Sequence, residues 1–363
     1  MRSMENLEYS VIVAELQSLI GKHFSNIQLL GEGRYRLRIG NSDITAELGK
    51  RLYITKYIDE PLEADNFAKK VKKELDNARL MKIEQKNNDR IIVFEFDAGK
   101  NESGKKQMLF LIFEMFAKGN VILVSGEDKT TIVAYREERW ADREIKRNVK
   151  YSFPKSNIAG NIKDARKASP GKYIVVCLMK LPLGKIYVKE LLARCGIDEK
   201  KPESELTEKE ACKLERELKN IAGTHDAFVF VKDDEISDYG VCPLIIYAKT
   251  TAEKRKTISE SADDYYFKGK EPDIELKKSE KLVKLERRLA EQEKTLTETL
   301  AQEKELKETG DFIYGNYEII EHVLSKAKYV GIQNLENPEN NKELRRYETK
   351  ITDKKKKEIE IEV

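Results

Sequence analysis

The residues whose types and spacing best suit ligand chemistry are Asp89 and Arg90, two opposite charges directly after Asn87-Asn88. Asparagine tolerates the positive φ of tight turns, so Asn87-Asn88 predicts a turn into the apolar strand at 91–96. An arginine can pair with a phosphate or stack on a base, and a carboxylate can accept from a sugar hydroxyl or a base amine. The residues alone leave two interpretations: a ligand-contacting pair, or the commoner turn Asp that caps its own backbone beside a surface Arg.

Two basic surfaces are further candidates for contacts to a nucleic-acid backbone. Arg34, Arg36 and Arg38 alternate with apolar residues, which predicts a strand with one apolar face and one arginine face. The arginine face is either a solvated outer surface or a ridge that binds phosphates, since the guanidinium fork matches phosphate oxygens. Pro61 is expected to open a helix whose outer side carries lysines. The candidates on that helix are Lys69, Lys72 and Lys73.

No residue pattern in the chain predicts catalysis, a metal or a cofactor. There is neither a glycine-rich phosphate loop followed by Lys-Ser/Thr nor a defensible Ser-His-Asp spacing. The three histidines are scattered, and the four cysteines form no CxxC pair, so a zinc site is not expected. We therefore predict a binding protein that is not an enzyme and uses no cofactor.

Length and composition limit the class of protein further. A chain of 363 residues suggests two or three domains. The net charge is only +3 although 37% of the residues are charged, so local patches say more about partners than the total does. No run of about 18 apolar residues occurs, so no membrane span is predicted. Unpaired thiols and the absence of a signal peptide predict a cytoplasmic protein.

The order of patterns predicts an α+β protein. Residues 1–158 are expected to form a β-rich domain with two helices, mainly antiparallel because the connections are short. Residues 159–225 contain short helices around glycine turns and a capping box at Thr207 and Glu210. This segment suits either a helix–hairpin–helix module or a plain helical connector. Residues 226–275 return to strands and a short helix that rejoin the first domain.

The last segments are predicted to be helical and then extended. Leucines spaced by three and four residues within 276–326 predict a coiled coil, and Gly310 is expected to break it into a short antiparallel hairpin. Residues 327–363 contain four consecutive lysines at 354–357 and end in an alternating pattern. We expect that end to be a strand without its partner.

Several motifs, in this order, resemble the NFACT family of ribosome quality-control factors, which includes RqcH, NEMF and fibronectin-binding protein A-like proteins. They are NNDRIIVFEF, LIFEMFAKGNVILV, KELLARCGID, ESADDYYF and the LERRLAEQEK to EIIEHVL stretch. The resemblance covers essentially the whole chain. It implies a first domain related in fold to formamidopyrimidine-DNA-glycosylase-like proteins, a helix–hairpin–helix module and a coiled coil. It also implies that 327–363 is a linker toward a C-terminal RNA-binding domain.

The resemblance implies a function as well. Family members bind a stalled large ribosomal subunit that carries peptidyl-tRNA, and they recruit aminoacyl-tRNA, Ala-tRNA in bacteria, to add a C-terminal tail without mRNA. The family's tRNA-binding Asp-Arg pair corresponds to Asp89 and Arg90. An Asp near the family's N-terminus corresponds to Glu8, which keeps the charge on a longer side chain.

Two other classes of function are alternatives. A DNA glycosylase-like enzyme would share the fold, but the chain begins Met-Arg-Ser-Met-Glu, without the proline amine that those enzymes use to form a Schiff base. No four-cysteine zinc finger is present either. A fibronectin-binding adhesin is the other alternative, and the lack of a signal peptide argues against it.

Overall fold

The architecture is described from a computed structural model, which covers residues 1–100, 104, 106–267, 271–331, 348–353 and 358–362. The chain divides into two compact units, Met1–Glu271 and Pro272–Val363. The first unit contains three antiparallel sheets of three or more strands, with helices between them. The predicted α+β class with antiparallel sheets is confirmed.

The first sheet follows helix α1 (Asn6–Leu16). Its four strands pair in sequence order: β1 (Phe24–Gly31), β2 (Arg34–Ile39), β3 (Ser42–Glu47) and β4 (Arg51–Thr55). The alternation of β2 is confirmed, because Tyr35, Leu37 and Ile39 are fully buried. Gly40 adopts a φ of 56° in the β2–β3 turn, a conformation that costs glycine little.

Helix α2 (Asn66–Glu74) joins the first sheet to the second. The prediction that Pro61 opens this helix is wrong, because the Asp65 side chain caps it by accepting a hydrogen bond from Ala68 N at 2.7 Å. The second sheet is again in sequence order: β5 (Arg79–Gln85), β6 (Ile91–Lys100), β7 (Lys106–Glu114), β8 (Asn120–Ser125) and β9 (Thr131–Ala134). A short hairpin, β10 (Glu138–Arg139) and β11 (Glu144–Ile145), follows it.

The middle of the unit is helical. It comprises α3 (Ile162–Lys167), α4 (Ile174–Leu178), α5 (Lys185–Cys195) and α6 (Glu208–Ala222). The capping box of Thr207 and Glu210 at the start of α6 is confirmed, and Gly196 ends α5 in the left-handed conformation. Whether these helices form a helix–hairpin–helix module stays a prediction.

A third sheet completes the unit, with β12 (Phe228–Lys232) between β13 (Glu235–Gly240) and β14 (Thr251–Lys254). Helix α7 (Ile258–Phe267) then packs on the first sheet. Asp263 accepts hydrogen bonds from Thr55 Oγ1 at 2.7 Å and from Lys56 N at 2.8 Å. These bonds connect α7 to the end of β4, and the expected domain bounds stay a prediction.

The second unit contains α8 (Glu271–Gly315), α9 (Tyr317–Val330) and a pair of strands, β15 (Glu348–Asp353) and β16 (Glu358–Glu362). The predicted break at Gly310 is wrong, because α8 continues through it. At Asn316 the N–H donates to Phe312 O and the carbonyl accepts from Ile320 N, so helical bonding persists and the chain does not reverse there. Gly310 therefore opens no antiparallel hairpin.

The final strand was expected to lack a partner, and that expectation is also wrong, since β16 pairs antiparallel with β15. The four lysines at 354–357 lie outside the described residues. On α8 the predicted seam leucines are between 54% and 61% exposed: Leu285, Leu289, Leu296 and Leu300. Among the helices that the structure describes, none is long and apolar enough to cross a membrane.

Candidate nucleic-acid interface

A short 3₁₀ turn, Lys86–Asn88, presents Asp89 at the start of β6. Asn87 and Asn88 have φ values of 54° and 52°, so the predicted use of asparagine in the left-handed region is confirmed. Asp89 N donates to Lys86 O at 2.9 Å, which closes the turn and returns the chain to an extended conformation at Asp89. The turn thus fixes where the Asp89-Arg90 pair leaves the loop.

The main chain of the Asp89-Arg90 pair is held from both sides. Arg90 O accepts a hydrogen bond from Met115 N at 2.7 Å, and Asn88 O accepts one from Asn6 Nδ2 at 2.7 Å. Asp89 Oδ1 accepts from Arg90 N at 2.7 Å, so part of this carboxylate caps its own backbone, as the simpler interpretation holds.

The Arg90 side chain does not cap the backbone as the Asp89 carboxylate does. Both Asp89 and Arg90 are half-buried. Within the part of the chain that the structure describes, the Arg90 guanidinium has neither a hydrogen bond nor an ion-pair partner. Burial raises the pKa of the neighbouring Tyr9, while the positive charge of Arg90 acts in the opposite direction. Arg90 thus offers an unpaired cation on a rigid backbone.

Glu8, the third expected contact to tRNA, is 0% exposed. Its two oxygens accept from Arg2 Nη1 and Nη2 at 2.9 and 2.5 Å, from Glu5 N at 2.8 Å and from the Tyr187 hydroxyl at 2.9 Å. These bonds occupy the carboxylate in the interior of the first unit. The structure therefore gives Glu8 a positioning role, and a direct contact between it and tRNA stays an untested expectation.

Glu8 belongs to a buried network that sequence reasoning missed. Arg2 also donates to Asp238 Oδ1 at 2.7 Å and to Tyr239 O at 2.7 Å. Glu8 and Asp238 are 230 positions apart, so no local pattern could have indicated the network. The network joins the start of α1 to β13 and, through Tyr187, to α5.

The three arginines of β2 differ in exposure. Arg36 is 9% exposed and donates to Gln28 on β1, with Asp43 on β3 at 3.7 Å. It is covered because β2 lies between β1 and β3, whose side chains flank it. Arg34 pairs with Asp59 at 2.9 Å, and Arg38, the most exposed of the three, pairs with Asp43 at 3.5 Å. Their proposed contacts to RNA remain a prediction.

The lysines of α2 form a more open surface. Lys69, Lys72 and Lys73 are exposed, while Phe67 and Val71 are buried on the other side of the helix. Lys69 has only a weak partner, Glu63 at 3.8 Å. This arrangement leaves positive charge available for phosphates, and the contact itself is untested.

Two glycines pack closely together where the turn after β7 meets the β3–β4 turn. Gly49 and Gly119 have φ values of 73° and 67°. A Cβ atom on Gly119 would lie 2.1 Å from Gly49 N, and one on Gly49 would lie 2.4 Å from Ala117 O. Only glycine fits at either position, and the crossing holds the segment next to Met115, which binds Arg90.

Among the described residues, no cluster of three or more His, Cys, Asp or Glu side chains could hold a metal ion. All four cysteines are free, and only Cys212 is exposed. Burial raises the pKa of Cys242 to about 11, against the charge of Arg194, so this thiol stays protonated at neutral pH.

The chain is similar to known proteins in three comparisons. The archaeal Rqc2 homolog aRqcH of Methanocaldococcus jannaschii is 31% identical over 359 residues, which cover 89% of this chain and 51% of that protein. Ribosome quality control complex subunit 2 of Schizosaccharomyces pombe is 29% identical over 162 residues, 43% of this chain and 16% of that protein. This chain thus spans about half the length of the archaeal relative, and less of the yeast one.

A solved structure, the N-terminal part of the fibronectin/fibrinogen-binding protein from Streptococcus suis, covers 73% of this chain and 99% of its own, with a TM-score of 0.57 and 20% identity. At that identity the likeness shows the fold alone. The family described as NFACT N-terminal and middle domains matches residues 7–362, nearly the whole sequence. The chain belongs to the NFACT family.

Proposed function

We propose that this chain acts in ribosome quality control by binding the large ribosomal subunit and recruiting aminoacyl-tRNA through Asp89 and Arg90. The recruited tRNA, Ala-tRNA in this proposal, supplies residues for a C-terminal tail that is added to the nascent chain of peptidyl-tRNA without mRNA. In this proposal the chain is a binding factor. It acts in the cytoplasm, because its proposed partners are there. The observation that carries the proposal is the unpaired Arg90 guanidinium on a main chain fixed from both sides.

An arginine in this position is well suited to RNA. A half-buried guanidinium loses hydration, and a protein normally offsets that loss with a hydrogen bond or an ion pair. In the described structure Arg90 has neither, while its main chain is held by hydrogen bonds on both sides. A phosphate or a base supplied by RNA would complete its bonding, and the second oxygen of Asp89 would accept from a sugar hydroxyl or a base amine.

The names of two relatives also support a role in ribosome quality control. The yeast relative is a subunit of a ribosome quality control complex, and the archaeal relative is described as its homolog. The Streptococcus title names fibronectin and fibrinogen, but that likeness concerns the fold alone. No described feature favours the adhesin or the DNA glycosylase alternative, so neither is proposed.

The test is the double variant Asp89→Ala/Arg90→Ala. A surface pair contributes about 1 kcal/mol or less, so the variant should keep its melting temperature within about 4 °C. Binding of tRNA should weaken, and the slope of log K against log salt should fall by roughly 0.7 to 0.9 for each lost phosphate contact. Binding to large subunits without tRNA should be kept.

A matched control is Lys82→Ala/Glu84→Ala, which removes an opposite-charge pair with an Nζ–Oε2 distance of 2.5 Å on the neighbouring strand β5. This control should retain the affinity for tRNA and the salt slope of the wild type. If the Asp89/Arg90 variant is folded and recovers as much tRNA as the control does, the pair is only a turn cap and a solvated arginine.

A further inference from the structure

The first turn of α1 reaches the 3₁₀ turn Lys86–Asn88, which precedes the Asp-Arg pair. Asn6 is 6% exposed, and its Nδ2 donates to Asn88 O at 2.7 Å. The other end of the same amide, Oδ1, accepts from Gln85 Nε2 at 2.6 Å. Gln85 directly precedes the 3₁₀ turn, and Asn88 is its last residue. One buried amide therefore bonds to both ends of the turn.

The two side-chain amides can be oriented in only one way. A backbone carbonyl oxygen accepts hydrogen bonds and never donates them, so the atom of Asn6 that faces Asn88 O must be the nitrogen. The Asn6 side-chain oxygen then faces Gln85, whose nitrogen also donates to Asn6 O at 3.4 Å. Each contact in this chain of amides is a donor that meets an acceptor. The pattern specifies an asparagine at position 6, since an aspartate would put an oxygen against Asn88 O.

The turn needs support from outside because its own backbone is costly. Asn87 and Asn88 are consecutive residues in the left-handed region, with φ values of 54° and 52°, which costs free energy even for asparagine. Within the turn, Asp89 N donates to Lys86 O at 2.9 Å. A second hydrogen bond to the end of the turn, made by a neighbouring helix, therefore stabilises this conformation against ordinary alternatives.

The Asn6 side chain does not serve α1 itself. A capping box of Glu5 and Glu8 already closes the first turn of this helix. Among the described residues, the Asn6 side chain bonds to Asn88 and Gln85 alone. Burying a polar side chain costs free energy unless its hydrogen bonds are made. A buried asparagine that bonds only to a distant turn is explained by what that turn does.

The Arg90 side chain leaves the sheet on the same face as these amides. Arg90 directly precedes β6, and its carbonyl oxygen is already bonded to the residue after β7. Side chains along a strand alternate between two faces, so Arg90 shares a face with Ile92 and with Gln85, the β5 partner of Ile92. Burial raises the pKa of Tyr9, one helical turn after Asn6, and the charge of Arg90 opposes that rise. The unpaired cation thus lies on the side of the sheet where α1 packs.

We propose that Asn6, oriented by Gln85, is a positioning residue that sets the backbone of the Asp-Arg pair for RNA. This inference rests on the proposed function and deepens it, because it names what decides the position of the pair. Asn6 itself does not touch RNA, since it is buried. When its hydrogen bonds are lost, the turn samples other conformations. The affinity for RNA then falls with the fraction of chains that hold the binding-competent turn.

The change Asn6→Ala tests the proposal without altering the charge of the chain. It removes both side-chain bonds and should weaken tRNA binding about 5- to 150-fold, the factor for two hydrogen bonds of ordinary strength. Hydrogen exchange followed by mass spectrometry should be faster at Asp89 N–H, while the middle of β6 stays as protected as in the wild type. The matched control is Ser10→Ala, which removes the Ser10 Oγ–Leu7 O bond of 2.7 Å on the same helix. This control should bind tRNA as the wild type does.

A double-mutant cycle separates positioning from general destabilisation. In the Asp89→Ala/Arg90→Ala background, Asn6→Ala should change the affinity for tRNA by less than about twofold, because the pair through which it acts is gone. The titrations are run at low salt, where attraction to the remaining basic surfaces is strongest. A residue that merely stabilises the fold would weaken binding by the same factor in both backgrounds, and that result would overturn the proposal.

Gln85→Met reaches the same answer from the other side of the amide chain, and it replaces Asn6→Ala if that variant is unfolded in a circular dichroism melt. Methionine keeps the length of the side chain but cannot orient the Asn6 amide. Binding of tRNA should therefore weaken when the pair is present and stay unchanged when it is absent. Wild-type affinity in folded Asn6→Ala and Gln85→Met would show that the turn holds itself, and the proposal would be wrong.

These outcomes are distinct from a failure of the proposed function. If Asp89→Ala/Arg90→Ala binds tRNA as tightly as the wild type, the proposed function fails, and this inference fails with it. If that variant loses tRNA and Asn6→Ala does not, the pair binds RNA and only the positioning role is wrong.

Discussion

Replacing Glu114 by glutamine tests a buried ion pair, in which Arg143 Nη1 and Nη2 donate to the two oxygens of Glu114 at 2.6 and 2.9 Å. Glutamine keeps the shape of glutamate and removes its charge. Arg143 would then face an amide that presents one acceptor and two donors where two acceptors stood. The guanidinium cannot rehydrate without opening the 143–151 segment, because its side chain is only 6% exposed.

The expected loss follows from this burial. Burial works against the charged form of Arg143, yet the hydrogen bonds and charge of Glu114 hold its pKa above the ordinary value. Removing one member of such a buried pair costs about 3–5 kcal/mol, because the remaining charge is left without compensation. For a unit of this size, about 1 kcal/mol corresponds to roughly 2–4 °C in Tm, so Glu114→Gln should melt about 6–20 °C lower.

The assay is urea unfolding of the first unit followed by circular dichroism, with a double variant as the control. Glu114→Gln/Arg143→Met removes both charges and should recover most of the lost free energy of unfolding. A loss below about 1 kcal/mol for Glu114→Gln alone would mean that the pair is solvated in solution. The description of Glu114 and Arg143 as a buried ion pair would then be wrong.

Two further predictions concern the backbone and pH. In urea unfolding, Gly119→Ala should lower the free energy of unfolding by well over about 1 kcal/mol, because its Cβ would overlap Gly49 N. The control is Gly99→Ala. Gly99 has a φ of 83° and open space around it, so this variant should cost only about 1 kcal/mol. Hydrogen bonds from Lys201 and Thr207 hold the pKa of Glu210 at about 2. The ionised form of Glu210 therefore stabilises α6 fully when the pH is above the ordinary pKa of a glutamate, and this stabilisation is lost as the pH falls through about 2. The difference in Tm between wild type and Glu210→Gln should therefore be present at pH 6 and close toward pH 2. A difference independent of pH would contradict the ionised capping box.

The features that sequence reasoning predicted are those set by neighbours in the chain. The alternation of β2, the asparagine turn before Asp89 and the capping box at Glu210 each depend on residues a few positions apart. The predictions were wrong where a weak local preference was outweighed by a more favourable interaction elsewhere in the element. Gly310 costs about 1 kcal/mol in a helix, which the rest of a 45-residue helix outweighs. Pro61 permits a helix start, but Asp65 supplies the cap.

The residues discussed here also fall into two groups: those that sequence neighbours indicate, and those that only the fold brings together. Asp89 and Arg90 could be nominated from sequence because the turn signal and the charges are adjacent. The Glu114–Arg143 pair could not, because its partners are 29 positions apart and meet only when β7 packs against the turn between β10 and β11.

Glu8 is buried, yet it is connected to the proposed RNA-binding pair through hydrogen bonds. Its carboxylate caps α1 through Glu5 N and is fixed by Arg2 and Tyr187, so it sets the position of the first turn of that helix. Asn6 lies in this turn and donates to Asn88 O, immediately before Asp89. Any change at Glu8 that moved the turn would therefore move the backbone that presents the Asp-Arg pair. The charge at Glu8 is needed for a buried network, and the Asp-Arg pair proposed to bind RNA lies one hydrogen bond further out.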